Sequence, residues 1–162
     1  MQNHPIVTPR VTPPSEVALE DSGGTFTVPV VINDAIKLGF VIDSGASDVQ
    51  IPADVVATMV RSGTLDRSDF LGQRTYRLAD GSTLPSYISR IRSPRVGDVV
   101  ILNVTGLIAS ADGELLLGQS FLSHLSSWSI DNGRQMLALG AVKPGGDAVP
   151  RMAGVGATRR FQ

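Results

Sequence analysis

The sequence predicts an all-β, mainly antiparallel fold with one or two short helices. Three observations carry that prediction. The apolar runs are short and rich in Val, Ile and Thr; turn dipeptides such as Asp80-Gly81 and Asn132-Gly133 separate them; and only one stretch has a clear helical apolar period. Self-similarity at the roughly 20- to 50-residue spacing of repeat proteins is absent from the string.

Taken in order, residues 1–16 carry Pro5, Pro9, Pro13 and Pro14 without hydrophobic periodicity, and read as a flexible extended segment. Residues 25–32, TFTVPVVI, are β-branched and apolar; Pro29 argues for a sheet edge or a bulge, because it cannot donate to a ladder. Asn33-Asp34 make a turn, and residues 38–42 form a second short strand ending at Asp43. Residues 52–60 then predict a helix. Pro52 suits its first turn, Asp54 complements its dipole, Val55, Val56, Met59 and Val60 share a face, and Gly63 stops it.

Residues 75–79 and 82–91 flank Asp80-Gly81 as a hairpin. Residues 99–102 and 104–108 are further strand, Gly113 sits in the next turn, and residues 115–117 are a buried strand candidate. A short helix around residues 121–125 follows, then a hairpin turning at Asn132-Gly133 between residues 128–130 and 136–139. The folded domain is read as 17–142, and 143–162 as a flexible Gly- and Pro-rich tail.

Composition removes several function classes. Fourteen basic against fifteen acidic residues leave a net charge of -1, which argues against a nucleic-acid partner. With no cysteine there is no disulfide, thiolate nucleophile or sulfur-ligated zinc, and two histidines leave little for a metal site, so no metal and no cofactor are expected. Apolar runs stay far below the roughly 18 residues of a membrane span, and the polar N-terminus lacks a signal-peptide core. The chain as it stands is expected to be soluble. Its compartment is left unassigned, with a longer bacterial periplasmic or membrane-anchored form compatible with the sequence.

Motif elimination is equally productive. G-x-S-x-G, the P-loop, H-E-x-x-H and the EF-hand loop are missing. Gly154-Val155-Gly156 lacks the third glycine and the preceding strand of a dinucleotide site, and a lone His124 on a short helix reads as solvated rather than as part of a triad. Asn103-Val104-Thr105 is a chance-level sequon, Trp128 reads as core, and Arg90, Arg92 and Arg95 read as a solvated face.

What remains is Phe40-Val41-Ile42-Asp43-Ser44-Gly45-Ala46-Ser47. An apolar strand delivers a carboxylate at its end, where desolvation disfavours the charged form and raises the pKa. The glycine after it lets backbone N–H donors turn in toward that carboxylate. The bland reading is an ordinary Asx turn with an idle aspartate. Asp21-Ser22-Gly23 is such a plain turn, because no apolar strand feeds it.

In this context the Asp43 segment resembles the retropepsins, the retroviral-type aspartic proteases, and their single-domain bacterial relatives most of all. Three features match in order: the strand into Asp43-Ser44-Gly45-Ala46 with a helix after Pro52; the hairpin Tyr76-Arg77-Leu78-Ala79-Asp80-Gly81-Ser82 where the family places its flap; and Leu115-Leu116-Leu117-Gly118 leading into Gln119-Ser120-Phe121-Leu122. The resemblance spans residues 17–140 or so. It implies a small, closed barrel-like fold, a homodimer and hydrolysis of a peptide or protein substrate, with Asp43 catalytic and Ser44, Gly45 and Ala46 in the active-site loop. It implies Ala79, Asp80, Gly81 and Asp48 as flap and substrate-binding residues, and Leu117 and Gly118 as loop support. A chain this short, with one strand-fed Asp-Ser-Gly, would supply half of a two-carboxylate site.

There are departures from the viral pattern. Ser47 and Gln119 stand where viral members carry an acidic residue and an arginine that form an ion pair near the interface. The Pro- and Gly-rich chain ends differ from those that viral enzymes interleave into a shared sheet, and the flap has one glycine where theirs has several. Two rivals therefore stay open here: a non-catalytic peptide-binding or dimerisation module of this fold, and an unrelated small β-barrel binder, which would keep Asp43 far from Leu117-Gly118.

Overall fold

Strand β3 (Thr25–Ile32) shows how the sequence builds this domain: Val28, Val30 and Ile32 are buried, and the residues between them face outward. The computed structural model describes residues 14–144. The segments 1–13 and 145–162, with most of both expected tails and Gly154-Val155-Gly156, lie outside the described residues.

Around β3 run β1 (Ser15–Ala18), β2 (Glu20–Ser22), β4 (Ile36–Ile42) and β5 (Val49–Pro52), then helix α1 (Ala53–Arg61) and a single 3-10 turn at Arg67–Asp69. Next come β6 (Phe70–Arg77), β7 (Thr83–Ile91), β8 (Pro94–Val96), β9 (Val99–Val100) and β10 (Val104–Ala109). The chain ends in β11 (Leu116–Leu117), helix α2 (Gln119–Leu122), β12 (Trp128–Asp131) and β13 (Met136–Leu139). The all-β expectation therefore holds.

The main sheet runs β6-β7-β10-β5-β11-β4-β3-β8-β9, with β2 on the side of β3. Its ladders are antiparallel except for β5 with β10 and β4 with β11. Those two parallel ladders put the ends of β4 and β5 beside each other with β11 between them, which is where the site forms. A smaller antiparallel sheet, β1-β13-β12, packs Leu137 and Leu139 onto the same core as Phe40, Ile51, Met59, Leu117 and Phe121.

Several expectations change in detail. Pro29 is in neither an edge strand nor a bulge: β2 pairs with residues 25–27 of β3 and β8 with residues 31–32, so Pro29 stands in the gap where β4 alone pairs. Pro52 caps α1 rather than entering it, with φ -61 and ψ 149. Gly63 stops that helix in the left-handed region at φ +77, as expected. Val60 is exposed, because the 100° turn per residue carries it past the face that buries Val56 and Met59. Asn132-Gly133 sits in a four-residue loop whose left-handed position is Gln135, not a two-residue turn, and the Asp131 carboxylate accepts the Arg134 N–H at 2.9 Å. Arg90 and Arg92 do more than face water: both reach the buried Asp69 carboxylate, at 3.4 and 3.6 Å.

Candidate active site

The end of β4 sets the geometry. Val41 and Ile42 pair in parallel with Leu116 and Leu117, so the backbone of Asp43 arrives fixed, its N–H donating to the Leu117 carbonyl at 3.1 Å. The chain then turns. The Gly45 N–H donates to Asp43 Oδ1 at 2.9 Å, and the Ala46 N–H to the Asp43 carbonyl at 3.3 Å. Gly45 is used where an N–H must approach a carboxylate closely; a β-carbon there would lie 3.2 Å from Asp43 Oδ1. Asp43 is half-buried, and Ser44, Gly45 and Ser47 are exposed.

An Asx turn by itself would be unremarkable; here the loop is braced from behind. The N–H groups of Gln119 and Ser120, at the start of α2, donate to the carbonyls of Ala46 and Ser47 at 2.8 and 2.9 Å. Gln119 Nε2 donates to the Ser44 carbonyl at 2.8 Å. Ser120 Oγ accepts from the Val49 N–H and donates to the Thr105 carbonyl, joining β5 to β10. All of this needs the two segments in contact, and Gly118 permits it: a β-carbon there would fall 2.2 Å from the Asp48 carbonyl oxygen and 2.8 Å from that of Ala46. Leu117, fully buried, anchors the brace in the core. The long separation of Asp43 from Leu117-Gly118 that an unrelated barrel would show is therefore not found.

Beside the loop opens a cavity of about 440 Å³. Its floor includes Gly45, Ala46 and Asp48, one wall is β10 with Leu107 and Ile108, and its roof is the β6–β7 hairpin. Tyr76 pairs with Leu84 and Arg74 with Ser86 across that hairpin, so these four share one face, and Tyr76, Leu84 and Ser86 line the cavity. At the tip, Gly81 is left-handed at φ +85, and Asp80 Oδ1 accepts from the Ser82 N–H and hydroxyl. Those bonds, the hydroxyl's first, hold the Asp80 carboxyl below its usual range.

The structure thus gathers Asp43, Ser44, Gly45, Ala46, Asp48, Leu117 and Gly118 into one region, of which Gly45, Ala46 and Asp48 line the cavity, while Ala79, Asp80 and Gly81 form the exposed hairpin tip just outside the lining. Sequence reading did not find the polar partners of Asp48. Its buried carboxylate accepts from Tyr76 Oη at 2.6 Å and from Arg74 Nη1 at 3.3 Å, both on Oδ2. Burial first, and then the bond to Asp48, push the Tyr76 phenol up to about 12. The available signal was the period-2 spacing of Arg74 and Tyr76 on one strand face. Among the described residues no group of three or more His, Asp or Glu side chains is placed to hold a metal, and no helix is long and apolar enough to cross a membrane.

Comparison with known proteins bears on this arrangement. Residues 28–124 match the family model described as "gag-polyprotein putative aspartyl protease". Among solved structures, the chain is similar to a retropepsin-like aspartic protease from Rickettsia conorii, with 23% identity, a TM-score of 0.56, and 79% of this chain and 91% of that chain covered. A likeness at that identity speaks for the fold alone. Comparison with curated protein sequences finds no match.

Proposed function

The chain belongs to the gag-polyprotein aspartyl protease family and has a retropepsin-like fold; from that premise we propose that it is a homodimeric aspartic endopeptidase. The observation that carries the reading is the Asp43 loop, a strand-fed carboxylate whose loop is braced by Gln119 and Ser120 and whose next residues, Gly45 and Ala46, line a hairpin-roofed cleft. One copy supplies one such carboxylate, and half a site cannot both activate a water and protonate a carbonyl.

Two copies meeting at their Asp43 loops complete the pair. Ser44 and Gly45, both exposed, are then the surfaces that face the partner, and in this reading the Ser44 hydroxyl braces one loop against the other. Two adjacent carboxylates hold one proton and titrate as a unit. The ionised member takes a proton from water as its oxygen attacks the scissile carbonyl carbon, while the protonated member donates to the carbonyl oxygen. Collapse of the tetrahedral adduct breaks the C–N bond, and a proton passes to the leaving amine. The β6–β7 hairpin serves as the flap that covers an extended peptide and excludes water.

Paired digestion tests this reading. Wild type and Asp43→Asn are incubated with a diverse peptide library between about pH 4 and 8, and cleavage is read by mass spectrometry. The reading predicts cleavage by wild type alone, with a bell-shaped profile favouring mild acid. Equal cleavage by both proteins, or a rate that keeps rising into alkali, would contradict it.

A further inference from the structure

Floor and roof of the cleft meet at one buried charge. Asp48 is 7% exposed, yet it borders a cavity that also presents Leu78, Leu84, Leu107 and Ile108, with Arg77 the other charged residue of the lining. A carboxylate in such a place needs donors, or it draws a cation from whatever enters. Both of its donors come from β6: Tyr76 Oη at 2.6 Å and Arg74 Nη1 at 3.3 Å. They lie two residues apart on the hairpin's inner face, so one strand delivers both to the same oxygen. The Arg74 guanidinium offsets the carboxylate's charge, and the Tyr76 phenol, kept protonated, donates a second bond to the same oxygen without adding charge of its own.

We propose that Asp48, Arg74 and Tyr76 form a latch that sets side-chain specificity: with both donors seated on Asp48 the cleft takes an uncharged, apolar side chain of a peptide, and with the donors removed it takes a basic one. The inference rests on reading this cleft as a peptide site. It assigns Arg74 and Tyr76 as specificity-determining residues that act through Asp48, while also tying the turn end of the hairpin to the floor of the cleft.

Binding, rather than turnover, tests it independently of catalysis. The full chain carrying Asp43→Asn is titrated by fluorescence anisotropy with a peptide set in which each position in turn holds leucine or lysine. The same titration is run in that background with Arg74→Leu and Tyr76→Phe together, with Tyr76→Phe alone, and with Arg74→Lys. At one peptide position the double variant should move the leucine-to-lysine affinity ratio about tenfold or more toward lysine, an unpaired carboxylate then facing the cation. Tyr76→Phe, which keeps the ring and guards against a misfolded double variant, should move it the same way by about threefold. Arg74→Lys keeps the positive charge and should retain the leucine preference. A ratio that stays put in Tyr76→Phe and in the double variant, or a failure of both peptide classes to bind any of the proteins, would overturn the latch. A ratio that switches while wild type cleaves no peptide would leave the latch standing and remove the protease reading instead.

Discussion

A β-carbon at Gly118 would lie 2.2 Å from the Asp48 carbonyl oxygen and 2.7 Å from its carbonyl carbon, and both of these are backbone atoms that no rotamer change can move. Gly118→Ala should therefore push β11 and α2 off the Asp43 loop, costing about 3 kcal/mol in denaturant unfolding; an unchanged midpoint would contradict that account. Tyr76 carries a pH prediction. Its phenol is raised to about 12 in the folded chain against an ordinary value of 10.0, so the folded state holds the proton longer than the unfolded state does. Stability from this group is fully present below pH 10 and is lost as pH rises toward 12. Wild type should lose stability more steeply than Tyr76→Phe across that window, measured by urea midpoints at successive pH values. At this scale Asp43 was legible, because an apolar strand runs directly into it. The partners of Asp48 were not, since Arg74 and Tyr76 reach it only once the hairpin has folded over the loop.

Among the elements, the β6–β7 hairpin depends on what holds its base. Buried Asp69 accepts the Asp66 N–H at 2.9 Å and pairs with Arg90 and Arg92 from β7 and the turn after it. Removing the charge leaves two partly exposed guanidinium groups facing a neutral partner at a buried position. Asp69→Asn is expected to cost about 2 kcal/mol and to speed amide exchange in β6 and β7 before β3 and β4; uniform exchange across all four strands would count against this. The arginines looked like a solvated face because spacing along a strand reveals no partner from the 3-10 turn that precedes β6. Strand β5 was also missed. Its four residues lie between a loop and a helix, and they become strand only because β10 and β11 pair on either side. By contrast the Asp80-Gly81 hairpin, the strand over residues 25–32 and the helix ending at Gly63 follow from local chemistry, and the structure keeps them.

For the whole molecule the decisive feature is how the first and last described strands pair. β13 pairs with β1 on one edge and β12 on the other, so both of its edges are taken within one copy. Glu16 and Arg134 fasten that arrangement with two hydrogen bonds at 3.0 and 2.7 Å, the bonding arginine holding the Glu16 carboxyl below its usual range. All three strands of this sheet, residues 15–18, 128–131 and 136–139, thus come from one copy. The dimer in our proposal therefore relies on the Asp43 loops, and Gln119, bonded to the Ser44 carbonyl, supports them from within the same copy. Sequence reading identified the replaced residues but could not see that residues 15–18 pair with 136–139, since that pairing is a long-range event.

The central claim, that each copy brings half of the site, is tested most directly by mixing. Wild type and Asp43→Asn are combined at fixed total concentration, allowed to exchange partners, and assayed on one cleaved peptide. If two Asp43 carboxylates are required, activity follows the square of the wild-type fraction, so an equal mixture retains roughly a quarter of the full rate under random pairing. A rate that falls in simple proportion, to about half, would mean that one copy works alone, and the shared-site account would be wrong.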